Sequence, residues 1–319
     1  LAFPLYIKRK KTINILCKLI LLTYLTKQQR MKIIKILGGL GNQMFQYALY
    51  LAIRDSYQDE KVKIDTSCFR GYPLHNGYEL DKLFCIEADE ATFMDKLKIA
   101  YPYTHYHMWQ VLHKLGIKRA TMLVENANEG YEENVFHTEH DCYYDGYWQN
   151  ERYFKFIRPK VLQAFTPKVI SEQNLKFCDK IKQHKCVSIH IRRGDYVNHP
   201  LYGGICDKTY YQRAITYIQE KTDCDYYIIF SNDIKWCEEN LSDLLMGKNV
   251  VFVNWNNGKD SYQDMYLMSR CNYNIIANSS FSWWGAWLNN HEDKIVICPT
   301  KWNNIKSSKF EIPQSWINI

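Results

Sequence analysis

From residue 186 onward, five short apolar segments recur at intervals long enough to hold a helix: CVSIHI (186–191), DYYIIF (225–230), NVVFVNW (249–255), YNIIA (273–277) and KIVIC (294–298). Each is too short for a buried helix and too continuously apolar for a strand with one wet face. They read as strands covered on both sides, the pattern of a parallel sheet with helical crossovers. The segment KVISEQNLKFCDKIKQH (168–184) supplies a helix before the first of them. This rhythm predicts an α/β domain over residues 171–319.

The first half is less regular. MKIIKILGGLGNQMFQYALYLA (31–52) predicts a strand over 32–37, a glycine-rich turn and a helix over 42–54, followed by the strand KVKID ending at Asp65 and then aromatic-rich loops. With 319 residues, 46% of them apolar and 15% aromatic, two domains are expected, 31–170 and 171–319. Residues 1–30 carry KRKK and then a 13-residue apolar stretch broken by Asn14 and Lys18, too short to span a bilayer. Sequence upstream of a start at Met31 is the preferred reading, a helix lying on a membrane surface the other.

The net charge of +7 suits an anionic ligand, but outside the first 30 residues the basic residues are dispersed, and no nucleic-acid partner is expected. The 11 cysteines include no CxxC pair, which fits free thiols in a reducing cytosol.

The GGLGNQ turn imitates a dinucleotide fingerprint, and Asp65 stands where ribose recognition would want a carboxylate. The third glycine position is Met44, however, and no Gly-Lys-Ser/Thr follows to make a phosphate loop. What remains is a tight turn carrying Asn42 and Gln43 at a helix N-terminus, where a plain capped turn explains it as well as a ligand does. The second half is more telling. In CVSIHIRRGDYV the pleat puts His190 and Arg192 on one face near the strand's carboxyl end, before Arg193, Gly194 and Asp195 turn the chain. Other strands exit into Ser231, Asn232 and Asp233, into Asp260 and Asp264, and into Asn278, Ser279 and Ser280. Each alone could cap a helix; on one rim of a parallel sheet they offer arginine and hydroxyls for phosphate and carboxylates for guanine or ribose. That set describes a nucleoside-diphosphate site.

GGLGNQMFQYA, DGYWQNERYF, HIRRGDYV, FSND and DMYLMSRCNYNIIANSSFSWWGAWLN, in that order over Met31–Trp302, resemble the motifs of bacterial glycosyltransferase family 11, the α-1,2-fucosyltransferases. The HxRRxD-type motif is shared with the wider superfamily of α-1,6- and protein O-fucosyltransferases. The resemblance implies a glycosyltransferase B fold, two Rossmann-like domains facing a cleft. It implies GDP-β-L-fucose as co-substrate and inverting transfer to the 2-hydroxyl of a galactose-terminated oligosaccharide or glycolipid, with no essential metal and no other cofactor. It places the work in the cytoplasm, with peripheral contact at the inner membrane face left open by residues 1–30. Arg192 would bind the β-phosphate, with His190 and Asp264 on guanine and Ser279 and Ser280 on pyrophosphate; Arg193, Asp195, Asp233 and Asn278 complete the donor rim. On the acceptor side stand Gly41, Gln43, Tyr147 and Trp148. No first-half carboxylate occupies a distinctive motif, so the resemblance leaves Asn42 to orient the acceptor hydroxyl while a phosphate oxygen takes its proton, with Asp195 a weaker alternative base. Transfer of another GDP-sugar or to another position, and silent GDP-sugar binding, remain open.

Other motifs are read as structural. Asp223-Cys-Asp225 precedes its strand, whereas a DxD metal site would follow one. His105, His107, His137, His140 and Asp141 lack zinc-ligand spacing. Trp283, Trp284 and Trp287 fall at helical spacing and are expected in the core.

Overall fold

The computed structural model describes residues 29–103, 105–126 and 130–319, so the two readings of the N-terminal extension concern residues that lie, but for Gln29 and Arg30, outside those described. Four strands, β1 (Met31–Lys35), β2 (Lys61–Asp65), β3 (Met122–Val124) and β4 (Cys142–Asp145), form an all-parallel sheet in the order β2-β1-β4-β3. Six more, β5 (Cys186–Ile191), β6 (Tyr226–Ser231), β7 (Asn249–Val253), β8 (Tyr273–Ile275), β9 (Ile295–Cys298) and β10 (Ile317–Asn318), form a second parallel sheet in the order β7-β6-β5-β8-β9-β10.

In the second sheet the strand order reverses once, between β5 and β8, while in the first β1 lies beside β4 and the loops after both leave the same end of the sheet. Loops on either side of such a point diverge to opposite faces and leave a crevice at the carboxyl ends. Register sets which residues reach it. Ile189 pairs with Ile275, so Arg192 and Asn278 leave the second sheet at one level. Ile34 pairs with Tyr144, which brings Gly38 level with Trp148 in the first.

The connecting helices follow from the sequence. α1 (Leu40–Ser56) leaves β1 through Gly38, whose φ of +94° suits glycine alone. Strand β1 stops at Lys35, two residues before the expected end, because the Leu37 amide donates to Gln46 Oε1 (2.9 Å) and leaves the ladder. α2 (Glu172–Ile181) is capped by Ser171 and α3 (Lys208–Lys221) by Asp207, each side chain accepting from a first-turn amide. α4 (Ile234–Leu241), α5 (Tyr262–Met268) and α6 (Ser280–Trp287) follow β6, β7 and β8.

The two sheets share one core. α6 belongs by sequence to the second half, but its Trp283 and Trp284 lie 4.5 and 4.9 Å from the Phe45 ring of α1, and Phe154 stacks on Trp284 at 5.4 Å. Trp283, Trp284 and Trp287 are buried, as their spacing implies. The ten described cysteines are all free.

Candidate active site

The loop after β5 separates two adjacent arginines. The Arg193 Nε donates to Asp233 Oδ2 (3.0 Å), its guanidinium lies 4.2 Å from the Trp236 ring, and its amide donates to Asn232 Oδ1 (2.9 Å). Asp233 meanwhile caps α4, accepting from the Trp236 amide, and that bond with the Arg193 charge holds its carboxyl below the usual range. Both groups are committed to holding the turn. Arg192 instead points into the crevice, with one nitrogen on Asp195 (2.8 Å) and its side chain one-third exposed. Gly194 is forced: a Cβ there would lie 2.3 Å from the Asn232 amide nitrogen. Arg192 and the committed Arg193, with Tyr196, Tyr202 and Asn278, line a cavity of about 160 Å³ at this switch point.

His190 lies beneath, fully surrounded, with Nδ1 lacking any hydrogen-bond partner. Burial, with the Arg192 charge second, pulls its pKa down to about 3, so the ring is neutral. An orphaned buried imidazole nitrogen is costly unless a ligand satisfies it. Asp264, in the first turn of α5, accepts from Asn256 Nδ2 (2.8 Å) on one oxygen, and burial pushes its carboxyl up to about 7. Ser279 caps α6 without spending its side chain on the helix, which leaves its hydroxyl free at a positive helix end. Asn278 is a cross-brace: its Nδ2 donates to the carbonyls of Tyr202 (3.3 Å) and Trp302 (3.2 Å), which leaves it shaping the rim.

Opposite stands the loop after β1. Gly41 packs directly on the start of α6: a Cβ there would lie 2.6 Å from Ser280 Oγ and backbone carbon, and the Gly41 carbonyl accepts from Trp284 Nε1 (2.9 Å). Two helix N-termini thus meet at one point. Asn42 Oδ1 accepts from Gln149 Nε2 (2.7 Å), joining the loops after β1 and β4. Tyr147 is 41% exposed, and its hydroxyl lies within electrostatic reach of Tyr72, Tyr106 and the second half's Tyr202.

Three acceptor-side expectations are corrected. Trp148 is completely buried among Tyr144 and Tyr153 and cannot stack on a sugar; with φ of +55° its backbone turns the ring inward just where Tyr147 turns outward. Gln43 is buried as a bracket, donating to the carbonyls of Gly38 (2.9 Å) and Gly77 (2.8 Å) and accepting from the Glu79 amide (3.0 Å). Gly41 faces α6 and not an open cleft.

Sequence reasoning missed Tyr72, His75, Tyr106 and Tyr202, which lie in loops or at loop edges without motif spacing. It also missed Glu125, whose carboxylate accepts the amides of Tyr147 (2.6 Å) and Trp148 (2.9 Å) and so fixes that turn; burial pushes its carboxyl up to about 7. The larger cavity, about 390 Å³, lies at the far end of α6. There Arg158 and Lys294 donate to the carbonyls of Trp287 and Ala286 (2.8 and 2.9 Å), the ordinary use of cations at a helix C-terminus. Asp225 sits at the amino end of β6, accepting from the Lys185 amide (3.0 Å) and pairing with His184 (2.8 Å), away from the crevice.

Two all-parallel sheets thus present the loops at their carboxyl ends to each other, an α/β arrangement with a crevice between them. A family profile described as glycosyl transferase family 11 matches residues 88–319, and the chain belongs to that family. It is 34% identical over 292 residues to an Escherichia coli α-1,2-colitosyltransferase, covering 89% of this chain and 97% of the relative. It is 30% identical to the E. coli O-antigen biosynthesis glycosyltransferase WbnK (88% and 98% covered) and 25% identical to the galactoside α-(1,2)-fucosyltransferase 2 of Gorilla gorilla gorilla (80% and 68% covered). The protein is therefore a glycosyltransferase. Among the described residues no helix is long and apolar enough to cross a membrane, and no three His, Cys, Asp or Glu side chains stand close enough to hold a metal ion.

Proposed function

We propose that the chain transfers L-fucose from GDP-β-L-fucose, with inversion, to the 2-hydroxyl of a terminal galactose-type residue in the synthesis of a surface glycan. The observation that carries the donor half of this reading is the rim at the β5/β8 switch point. One guanidinium paired only with an exposed carboxylate, one orphaned buried imidazole and one helix N-terminus whose Ser279 side chain does not cap the helix meet there. Arg192 binds the β-phosphate, Ser279 and Ser280 with the first amides of α6 bind pyrophosphate, and His190 Nδ1 with the Asp264 carboxylate meets guanine. As the anomeric bond breaks, charge collects on the β-phosphate oxygen, where a fixed guanidinium and helix-end N–H groups are most effective. No metal is required for that neutralisation. Asn42, held by Gln149, orients the acceptor hydroxyl, and Tyr147 gives the sugar an apolar face.

The choice of fucose and of the 2-hydroxyl is supported by the order of motifs and by the galactoside α-(1,2)-fucosyltransferase relatives. A second reading, transfer of colitose, is supported by the 34% identity to the E. coli enzyme of that name. Incubation with GDP-fucose and lactose or N-acetyllactosamine, followed by linkage analysis, is expected to give an α-1,2-fucosyl product. No product with any β-galactoside, or a product only from another GDP-sugar in a panel including GDP-mannose, would overturn the fucosyl reading.

A further inference from the structure

We propose that His75 is the general base that takes the proton from the acceptor hydroxyl, a role that rests on the transferase reading above. Nothing in its sequence surroundings, GYPLHNGY, singles it out. The structure places it at the meeting of both halves. The Nδ1–Cε1–Nε2 edge of its ring faces Gly39, where a Cβ would lie 3.3 to 3.4 Å from those three atoms, immediately before the Leu40–Gly41–Asn42 start of α1. Across the cleft it lies within electrostatic reach of Arg192 and Asp195. Its ring packs beside Tyr72 (6.1 Å between centroids), which leads to Tyr106 (5.0 Å) and so to the tyrosines around Tyr147.

Three features suit it to the task. His75 holds φ of +61°, a left-handed conformation uncommon for a side-chain-bearing residue, and this backbone turns the ring over the glycine loop. Its ring nitrogens make no hydrogen bond to any described residue, whereas the neighbouring polar side chains of Asn76 and Gln43 are committed. The charged groups facing it are Arg192, Asp195 and Glu79; partial burial and the Arg192 charge outweigh the two carboxylates and hold its pKa below that of an ordinary histidine. The ring is therefore neutral near pH 7 and has a lone pair to offer.

In the step itself, the bond between the anomeric carbon and the β-phosphate oxygen breaks, and its electron pair leaves with GDP. The acceptor oxygen bonds to the anomeric carbon from the opposite side, and its proton passes to an imidazole nitrogen of His75, which later returns it to water. Once GDP carries the departing charge, the Arg192 cation is neutralised locally, which favours the imidazolium at the moment it forms.

The test compares wild type, His75→Gln and His75→Asn for transfer from GDP-fucose to lactose and for GDP binding by calorimetry. The expected result is a kcat lowered by about a hundredfold or more, the usual contribution of a general base. GDP affinity stays unchanged, and the acid-side fall of kcat expected of wild type at saturating GDP-fucose, where donor binding through Asp264 no longer limits, disappears in the variants. A variant rate within about threefold of wild type, far short of that contribution, or an acid limb that persists, overturns the assignment and leaves the phosphate oxygen as base. Parallel loss of GDP binding also overturns it, by showing a role in donor binding. If His75→Gln does not fold, His75→Asn decides the matter by the same readouts. A wild-type chain that forms no product from GDP-fucose or GDP-mannose overturns the fucosyl reading, and the His75 assignment made for that reaction falls with it; normal wild-type transfer beside an unimpaired variant overturns only His75.

Discussion

Arg192 and Arg193 are chemically alike and adjacent, and their different surroundings decide what each can do. Arg193 is pinned by Asp233 and Trp236, so its charge is already spent. Arg192 has the Tyr196 ring at 5.4 Å and Asp195, a partner more than half exposed, and such an ion pair contributes at most about 1 kcal/mol to stability. Arg192→Ala should therefore fold and melt like wild type while losing about a hundredfold to a thousandfold in kcat, the usual effect of removing one donor to a developing oxyanion. A folded Arg192→Ala enzyme with wild-type turnover would exclude Arg192 from the phosphate role. Asp264 gives a pH prediction. Burial raises its folded carboxyl to about 7, well above the ordinary carboxylate range, so its contribution to stability is fully present below the unfolded value and is lost as pH rises through about 7. Guanine N–H groups need the ionised form, so GDP binding should release a proton near pH 6 to 7 and weaken as pH falls below that range. Calorimetry in two buffers of different ionisation enthalpy measures this release. Asp264→Asn should abolish it and raise the melting temperature at pH 8.

At the scale of elements, the contact between the starts of α1 and α6 depends on the missing side chain of Gly41. Gly41→Ala would drive a Cβ to 2.6 Å from the Ser280 backbone, and neither helix can yield without moving. The expected cost is about 1 to 3 kcal/mol, typical of overpacking, read from denaturant midpoints, together with weakened GDP binding. Beneath the same loops Lys35 pairs with Asp145, both buried, and Trp109 Nε1 donates to the second Asp145 oxygen (2.7 Å). Asp145→Ala leaves a buried lysine unpaired and should cost about 3 to 5 kcal/mol. Strands β5 to β9 were legible because apolar runs and polar exits are local signals, and Arg192, His190 and Ser279 were legible with them, whereas the two-residue β10 was not. β3 escaped because three residues, Met122–Val124, show too little pattern. Trp148 was misread because its left-handed φ, invisible in sequence, exchanges the sides on which it and Tyr147 emerge. Gln43 looked like a ligand group for a related reason: its three partners come from Gly38, Gly77 and Glu79, two of them more than thirty positions away.

At the scale of the molecule, the tryptophan cluster packed from both halves predicts that they unfold as one unit. Phe45, Phe154 and Phe165 of the first half all contact Trp284 of the second, and the Trp284 indole N–H reaches the Gly41 carbonyl. Residues 171–319 expressed alone would expose that face of α6, an apolar surface too large to leave in water. They should show no cooperative unfolding transition, while the whole chain unfolds in one. Trp284→Ala should cost about 3 to 5 kcal/mol, as for other buried aromatic residues. That loss should appear at both ends of the chain, because the side chain belongs to both halves. GDP should oppose it: a ligand at a hundred times its dissociation constant adds about 2.7 kcal/mol to the folded state. Differential scanning calorimetry with and without GDP should then show one peak moving as a whole. Two peaks, with only the later half responding to GDP, would mean that the halves fold independently and that α6 is a removable contact between them.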